Sequence, residues 1–324
     1  TEPMTNPSRV PRRLLLAAPA LLAAGPAAAQ PWPNRPMRLI VPFPPGGTTD
    51  IVGRLVAARM GAALGQPMVV ENRPGAGGTV GSDAVAKSPP DGHTLVVSNI
   101  AAHGVAPSIY PSLPYDPVRD FTHIALLADT PSALAVPAAG PVRSFAELVE
   151  RARTRDVTVA SPGNGSSSHV LTGLLARTMN LRLVHVPYRG SAPGITALMA
   201  GEVDAMITTL LELGGNDRIR MIASTAARRS PGFGELPTFA ELGRPEMTAP
   251  TWFGLSGPAG LPASIADRLH AEALAALRQP DVAQRMADLV ATPEPLSRAQ
   301  YAALVAAEVA RWAEAVRISG ARAD

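Results

Sequence analysis

Along most of this chain apolar residues come in short uninterrupted runs that stop at glycine or proline. Several of these runs are followed by a longer segment whose apolar positions fall on one helical face. The first pattern is that of strands buried on both sides, the second that of amphipathic helices. Strands are predicted over residues 39–41, 68–71, 94–98, 124–127, 133–136, 157–160, 181–187, 219–224 and 251–255. Helices are predicted over 50–64, where Ile51, Leu55 and Ala58 share a face that Arg54 and Arg59 avoid, and over 83–87, 193–200, 263–277, 280–289 and 298–318. A helix over 145–153 has Ser144 as its N-cap, and a short one over 237–243 has Gly243 as its stop. The strand–helix alternation runs once, restarts near residue 136, and returns to its first unit near residue 252. The expectation is an α/β protein of two interleaved lobes, residues 30–135 plus 252–324 and residues 136–251, with a cleft spanned by two crossovers. That geometry permits hinge closure around a ligand.

Two stretches repeat one local design. In the first, the strand over 39–41 ends at Pro42, Phe43, Pro44 and Pro45, because proline cannot donate to a sheet ladder. Gly46 and Gly47 then open the backbone, and Thr48, Thr49 and Asp50 are N-cap types for the next helix. In the second, the strand over 157–160 runs into Pro162, Gly163, Asn164 and Gly165, followed by Ser166, Ser167, Ser168 and His169. Exposed N–H groups and hydroxyls at a helix start form a ready anion site, and in α/β folds such turns lie at the carboxyl ends of strands, where ligands bind. Facing one another across a cleft, the two turns could hold an anion from both sides. Charge-assisted hydrogen bonds contribute about 1.5–3 kcal/mol each and a helix N-terminus roughly 0.3–1 kcal/mol. A handful of them supports micromolar binding, about −8 kcal/mol, after ordering costs. The plainer alternative is a pair of strand-to-helix turns without a ligand.

Composition narrows the chemistry. With 324 residues, 46 % of them apolar, the chain can bury a substantial core. It has no cysteine, which excludes disulfides, thiolate zinc sites and a cysteine nucleophile. Lys87 is the only lysine, so Schiff-base and P-loop chemistry are not expected. Formal charge is +3 and aromatic residues make up 4 %, with no basic stripe to suggest nucleic-acid binding. Arg12 and Arg13, then apolar residues 14–24, then Ala27, Ala28 and Ala29 read as an export signal (residues 1–29) cleaved near Ala29. The Sec and twin-arginine routes both remain open.

Other constellations are weaker. Gly75, Gly77 and Val80 break the G-x-G-x-x-G spacing of a dinucleotide site. Ser166–Ser168 with His169 place hydroxyls beside an imidazole, but no G-x-S-x-G elbow surrounds them, and a structural role for His169 weighs more. Asp50 and Asp204 would form a carboxylate pair only if the fold brought them together, and Asp50 is equally a helix-start charge. Arg189 is the best single charged candidate for a ligand contact, balanced by a solvated turn. The histidines lack metal-ligand spacing, and neither a metal nor a cofactor is expected.

Taken in order, Val41–Gly47 with Asp50, Glu71–Gly78, Pro90–Leu95, Leu113–Pro117, Val186–Gly190, Gly201–Asp204, Pro237-Thr238 and Trp252–Gly254 resemble the substrate-binding proteins of tripartite tricarboxylate transporters, the Bordetella-uptake-gene (Bug) type. The resemblance covers nearly all of the chain after the leader. It implies a two-lobed periplasmic binding protein (flytrap) fold, type II-like, with the ligand in the interdomain cleft. It implies a carboxylate held largely by backbone N–H groups and ordered waters, with contacts at Phe43, Gly46, Gly47, Thr48, Ser98 and Asn99 on one lobe. On the other lobe it implies contacts at Gly165, Ser166, Ser167 and His169 and near Tyr188 and Asp204. The function it implies is capture of a small carboxylate by a monomeric exported protein, not an enzyme, that delivers it to a two-component membrane permease. The alternatives are a sensor that presents its ligand to a signalling partner and, in another class, a cleft hydrolase using Ser166–Ser168. Two departures stand out: residues 208–220 are short for the family, and Arg189 stands where relatives usually carry lysine.

Overall fold

The computed structural model describes Glu2, residues 32–293 and residues 295–323. Apart from Glu2, the export signal expected over residues 1–29 lies outside the described residues. The first sheet holds β1 (Met37–Val41), β2 (Met68–Asn72), β3 (Thr94–Asn99), β4 (Phe121–Thr130) and, from far along the chain, β10 (Thr251–Pro258), in the order β2-β1-β3-β10-β4. The second holds β5 (Ser132–Pro137), β6 (Val157–Ser161), β7 (Leu183–Pro187), β8 (Ala205–Thr209) and β9 (Ile219–Ser224), in the order β7-β6-β8-β5-β9. The sheets share one plan. Three parallel strands have their first in the middle, and one antiparallel strand joins them to a fifth.

Helices link the parallel strands. In the first lobe α1 (Thr48–Leu64) and α2 (Thr79–Ala86) are followed by a π-helical turn, Ala101–Val105, that runs into α3 (Ala106–Ile109). In the second lobe α4 (Phe145–Thr154), α5 (Ser167–Met179), α6 (Ser191–Ala200) and α7 (Leu210–Leu213) play this part, and α8 (Ala263–Leu277), α9 (Pro280–Asp288) and α10 (Arg298–Ser319) close the chain. α1 starts at Thr48, with Gly47 as its N-cap, so the two threonines expected as caps are its first residues. It stops at Gly65, whose φ of 71° is the left-handed cap glycine adopts without strain. Ser144 caps α4 by accepting from the Glu147 N–H. Residues 237–243 form hydrogen-bonded turns, not the expected helix. Thr238 and Glu241 exchange reciprocal capping bonds, but Gly243 at φ 76° ends the segment at once.

The crossing between lobes falls at Pro131, earlier than the boundary expected at residue 135. Ser132–Ala135 pair with Thr209–Met206 in the second sheet, because Pro131 has no N–H with which to continue the first ladder. Beside it the returning segment crosses back. Ser132 and Thr225 are joined by backbone and side-chain hydrogen bonds, and Ser132 Oγ lies 3.3 Å from Thr251 Oγ1. The helix expected to belong to the first lobe, α10, packs on both: against α5 on one side and against β4, α3 and the π-helical turn on the other. Its buried Glu308 accepts from the indole N–H groups of Trp252 (3.2 Å) and Trp312 (3.0 Å).

Tyr301 of α10 fills the space above β10. A Cβ on Gly254 would stand 2.0 Å from its hydroxyl oxygen, and that hydroxyl is hydrogen-bonded to Ser98 Oγ at 2.7 Å. Gly254→Ala is therefore expected to cost about 1–3 kcal/mol through overpacking. Urea unfolding would measure the loss, and a variant as stable as the parent would contradict the close approach.

Candidate functional site

The turn after β1 is braced from below. Gly46, at φ 85°, donates its N–H to Asp50 Oδ2 at 3.0 Å. Asp50 also accepts from Arg54 Nε (2.9 Å) and Asn72 Nδ2 (2.8 Å), and Asn72 Nδ2 lies 3.0 Å from the Phe43 carbonyl that also accepts from it. Burial alone would raise the Asp50 pKa, but these hydrogen bonds and the Arg54 charge outweigh it and hold the carboxyl below its usual value. Asp50 is thus an anchor of the turn. It aims the start of α1, which has no side-chain cap of its own, into the cleft.

The turn after β6 is its counterpart. Gly163 and Gly165 take φ values of 143° and 79°. Ser166 caps α5: its Oγ accepts from the His169 N–H and donates to the Gly163 carbonyl. The N–H groups of Ser167 and Ser168 find no acceptor among the described residues. A third helix, α6, starts beside them after Gly190, which packs on Pro44 of the other lobe. Starts of α1, α5 and α6 therefore face one cavity of about 260 Å³ between the lobes. Phe43, Pro44, Ile100, Ile195 and Phe253 supply its apolar wall. Its polar wall includes Thr48, Ser132, Ser166–Ser168, Ser191, Thr208, Thr209, Thr251, Arg189 and Glu212. A larger cavity of about 640 Å³ adjoins it and shares Phe43, Pro162, Ser166 and Arg189. The lobes touch across the cleft, where Thr48 Oγ1 lies 2.8 Å from Thr209 Oγ1 and the Thr48 N–H donates to Glu212 Oε1 at 3.0 Å.

Of the residues expected to contact a ligand, Phe43, Gly46, Gly47, Thr48, Asn99, Ser166 and Ser167 line the central cavity, and Tyr188 lines the adjoining one. Asn99 also caps the helical stretch after it, with Oδ1 accepting from Ala101 and Ala102. The other four lie elsewhere. Ser98 precedes Asn99 on β3, so its side chain points to the opposite face, where it is fully buried and bonded to Ser256 and Tyr301. Gly165 faces Tyr110, whose hydroxyl would stand 2.6 Å from an added Cβ. His169 lies beneath the turn, its Nδ1 3.4 Å from the Gly165 N–H and its ring stacked on His185 at 3.9 Å between centroids. No hydrogen bond among the described residues joins its imidazole to Ser166, Ser167 or Ser168. Asp204 precedes β8 and so sits at the end of the sheet away from the cleft, where it pairs with Arg155 and Arg151 and accepts from Thr158. Asp50 and Asp204 therefore do not form a pair. Glu212, Ser191, Thr208 and Thr209 were not anticipated. A signal for the two threonines was present, since they follow the apolar run of β8 at its carboxyl end.

Fold and site define a two-lobed binding protein with its cavity between lobes joined by two crossing segments. Residues 52–320 match the family model described as tripartite tricarboxylate transporter family receptor, and the chain belongs to that family. Protein BugT of Bordetella pertussis is 37 % identical over 305 residues, covering 92 % of this chain and 94 % of BugT. Among solved structures, R. palustris Rpa4515 with adipate is 34 % identical with a TM-score of 0.85, covering 90 % of this chain and 99 % of that one. MatC (Rpa3494) from Rhodopseudomonas palustris with bound malate is 36 % identical with a TM-score of 0.83, covering 88 % and 99 %.

The histidine stack has a consequence for pH. Burial, then the charge of His169, push the His185 pKa down to about 3, and burial lowers that of His169. Burial likewise takes His103 to about 3 and His123 to about 4. In the unfolded chain these groups titrate near about 6.5, so between the two values the unfolded state binds more protons and stability rises with pH. The contribution is complete above about 6.5 and is lost as the pH falls toward the folded values. The urea midpoint is expected to be lower at pH 5 than at pH 7, with the ring resonances of His103 and His185 unchanged over that range. Equal midpoints, with ring titrations near the unfolded value, would contradict it.

Proposed function

We propose that this chain captures a small organic carboxylate in the central cavity and delivers it to a two-component integral membrane permease. The observation that carries this reading is the meeting of helix starts at one cavity between the lobes, with the Ser167 and Ser168 N–H groups lacking acceptors among the described residues. Such groups satisfy an anion without an obligatory arginine clamp. The adipate and malate bound by its structural neighbours support the same ligand class. A cavity of about 260 Å³ lies at the small end of ligand sites and favours a compact ligand. The protein acts by binding and not by catalysis, in keeping with the hydrogen-bonding of Ser166 as a helix cap and of His169 to the turn. It works in the periplasm as a monomer, after export through the signal over residues 1–29.

A thermal-shift screen of dicarboxylates, tricarboxylates, aromatic acids and amino acids tests capture directly. At a ligand concentration one hundred times Kd, the stabilisation is about 2.7 kcal/mol. No shift with any carboxylate, together with turnover of an ester, would sink the reading in favour of a hydrolase. Ser167→Pro gives a sharper test. Ser167 is the first residue of α5, and Ser166 before it has φ −71° and ψ 156°, a conformation suited to precede proline. The substitution removes one ligand-facing N–H while leaving the helix intact. Losing a charge-assisted hydrogen bond of about 1.5–3 kcal/mol is expected to weaken carboxylate binding by roughly 10- to 150-fold, with the far-UV circular dichroism unchanged. Full affinity in a folded variant would remove the start of α5 from the site.

A further inference from the structure

The lobe-one half of the cleft is already occupied by a carboxylate of the protein itself. Glu212 stands on α7, at the carboxyl end of β8 in the second lobe. Its Oε1 accepts from the Thr48 N–H (3.0 Å) and from Thr48 Oγ1 (3.1 Å), at the start of α1 across the cleft. Its Oε2 accepts from Thr208 Oγ1. Glu212 thereby caps a seventeen-residue helix whose N-cap, Gly47, has no side chain to do so. No arginine, lysine or histidine pairs with Glu212 among the described residues. Three donors use three of the roughly four acceptor positions of a carboxylate, and Glu212 still lines the cavity. Against the start of α1 the cavity therefore presents a fixed acceptor with no cation paired to it among the described residues. The same cavity presents the N–H groups of Ser167 and Ser168 and the Arg189 guanidinium, none of which has a partner among the described residues.

We propose that Glu212 determines the ligand class: the cavity selects a zwitterion, with a carboxylate at the starts of α5 and α6 and an ammonium group against Glu212, over a dicarboxylate of the same length. This rests on the carboxylate-capture reading above and narrows it. A second carboxylate at the α1 end would meet a like charge with no counter-ion beside it, and would compete with Glu212 for the Thr48 donors. An ammonium group there adds an ion pair and leaves those donors satisfied. The contact joins residues on opposite lobes, so this selection operates in the closed cleft.

Length-matched pairs separate the two classes: succinate with β-alanine, glutarate with 4-aminobutyrate, and adipate with 5-aminopentanoate. Affinities for each pair are measured by calorimetry on the parent protein and on Glu212→Gln, which keeps an acceptor for Thr48 and removes the charge. In the parent, the amino member of any pair that binds is expected to be favoured by at least about tenfold. In Glu212→Gln that ratio is expected to fall by at least about tenfold, with the thermal unfolding profile of the unliganded protein retaining one cooperative transition. Dicarboxylate binding that appears only in Glu212→Gln also supports the proposal. A parent that prefers the dicarboxylates, or a ratio that Glu212→Gln leaves unchanged, overturns it while leaving carboxylate capture intact. If neither protein binds either member of any pair, or any acid in the wider screen, carboxylate capture itself fails and this inference goes with it.

Discussion

A helix cannot satisfy its own first N–H groups, and much of this molecule follows from where those groups are left. In each sheet the parallel strands run toward the cleft, and a helix begins directly after a strand at that end. Glycine turns expose the backbone there, as at Gly46 and Gly165, and the donors of the first helical turn point outward. A local cap satisfies one of them, with Ser166 taking the His169 N–H, while Asp50 braces the turn before α1 through the Gly46 N–H. Those that remain need an acceptor from elsewhere. For α1 it comes from the opposite lobe, through Glu212. Those of Ser167 and Ser168 find no acceptor among the described residues. The donors that line the cavity are thus a property of backbone ends, shaped by a few side chains.

The rest of the architecture brings those ends together. Pro131 passes the chain from β4 to β5, and the return before β10 runs alongside it, tied through Ser132, Thr225 and Thr251. Two adjacent crossings restrict the lobes to hinge-like motion. Helix α10 adds a shared wall: Trp312, Tyr301 and Val305 lie in one apolar core with Leu171 and Leu174 of the second lobe. The buried Glu308 carboxylate within that wall is stabilised by two indole donors and by Arg311 at 3.0 Å, which offsets the cost of removing it from water. Residues far from the cavity therefore set the relative placement of the helix starts that line it.

Much of the fold was legible because its signals are local. Apolar runs closed by proline or glycine located nine of the ten described strands to within a few residues, β8 being the exception, and Ser144 marked a helix start through cap chemistry that acts over a single turn. The failures arose where a local signal had no context. Thr238 and Glu241 carry the capping pattern of a helix, but Gly243 follows too soon for one to form. Ser98 and Asn99 looked equivalent at the end of β3, although adjacent strand residues face opposite ways and only Asn99 reaches the cavity. Asp204 stood near the right strand but at its wrong end.

The sequence by itself determined the strand–helix alternation, the interleaved lobes and the two glycine turns with their hydroxyl-rich helix starts, because each of these is written in neighbouring residues. Only the tertiary structure decided where the lobes divide, that α10 serves both, and which of two adjacent side chains meets the cavity. It alone placed Glu212 on the start of α1, across 164 positions of chain. A hydrogen bond of that span leaves no trace in local composition. It exists because the fold sets the end of β8 opposite the end of β1, so that the helix start after the glycine turn is capped by a carboxylate from the other lobe.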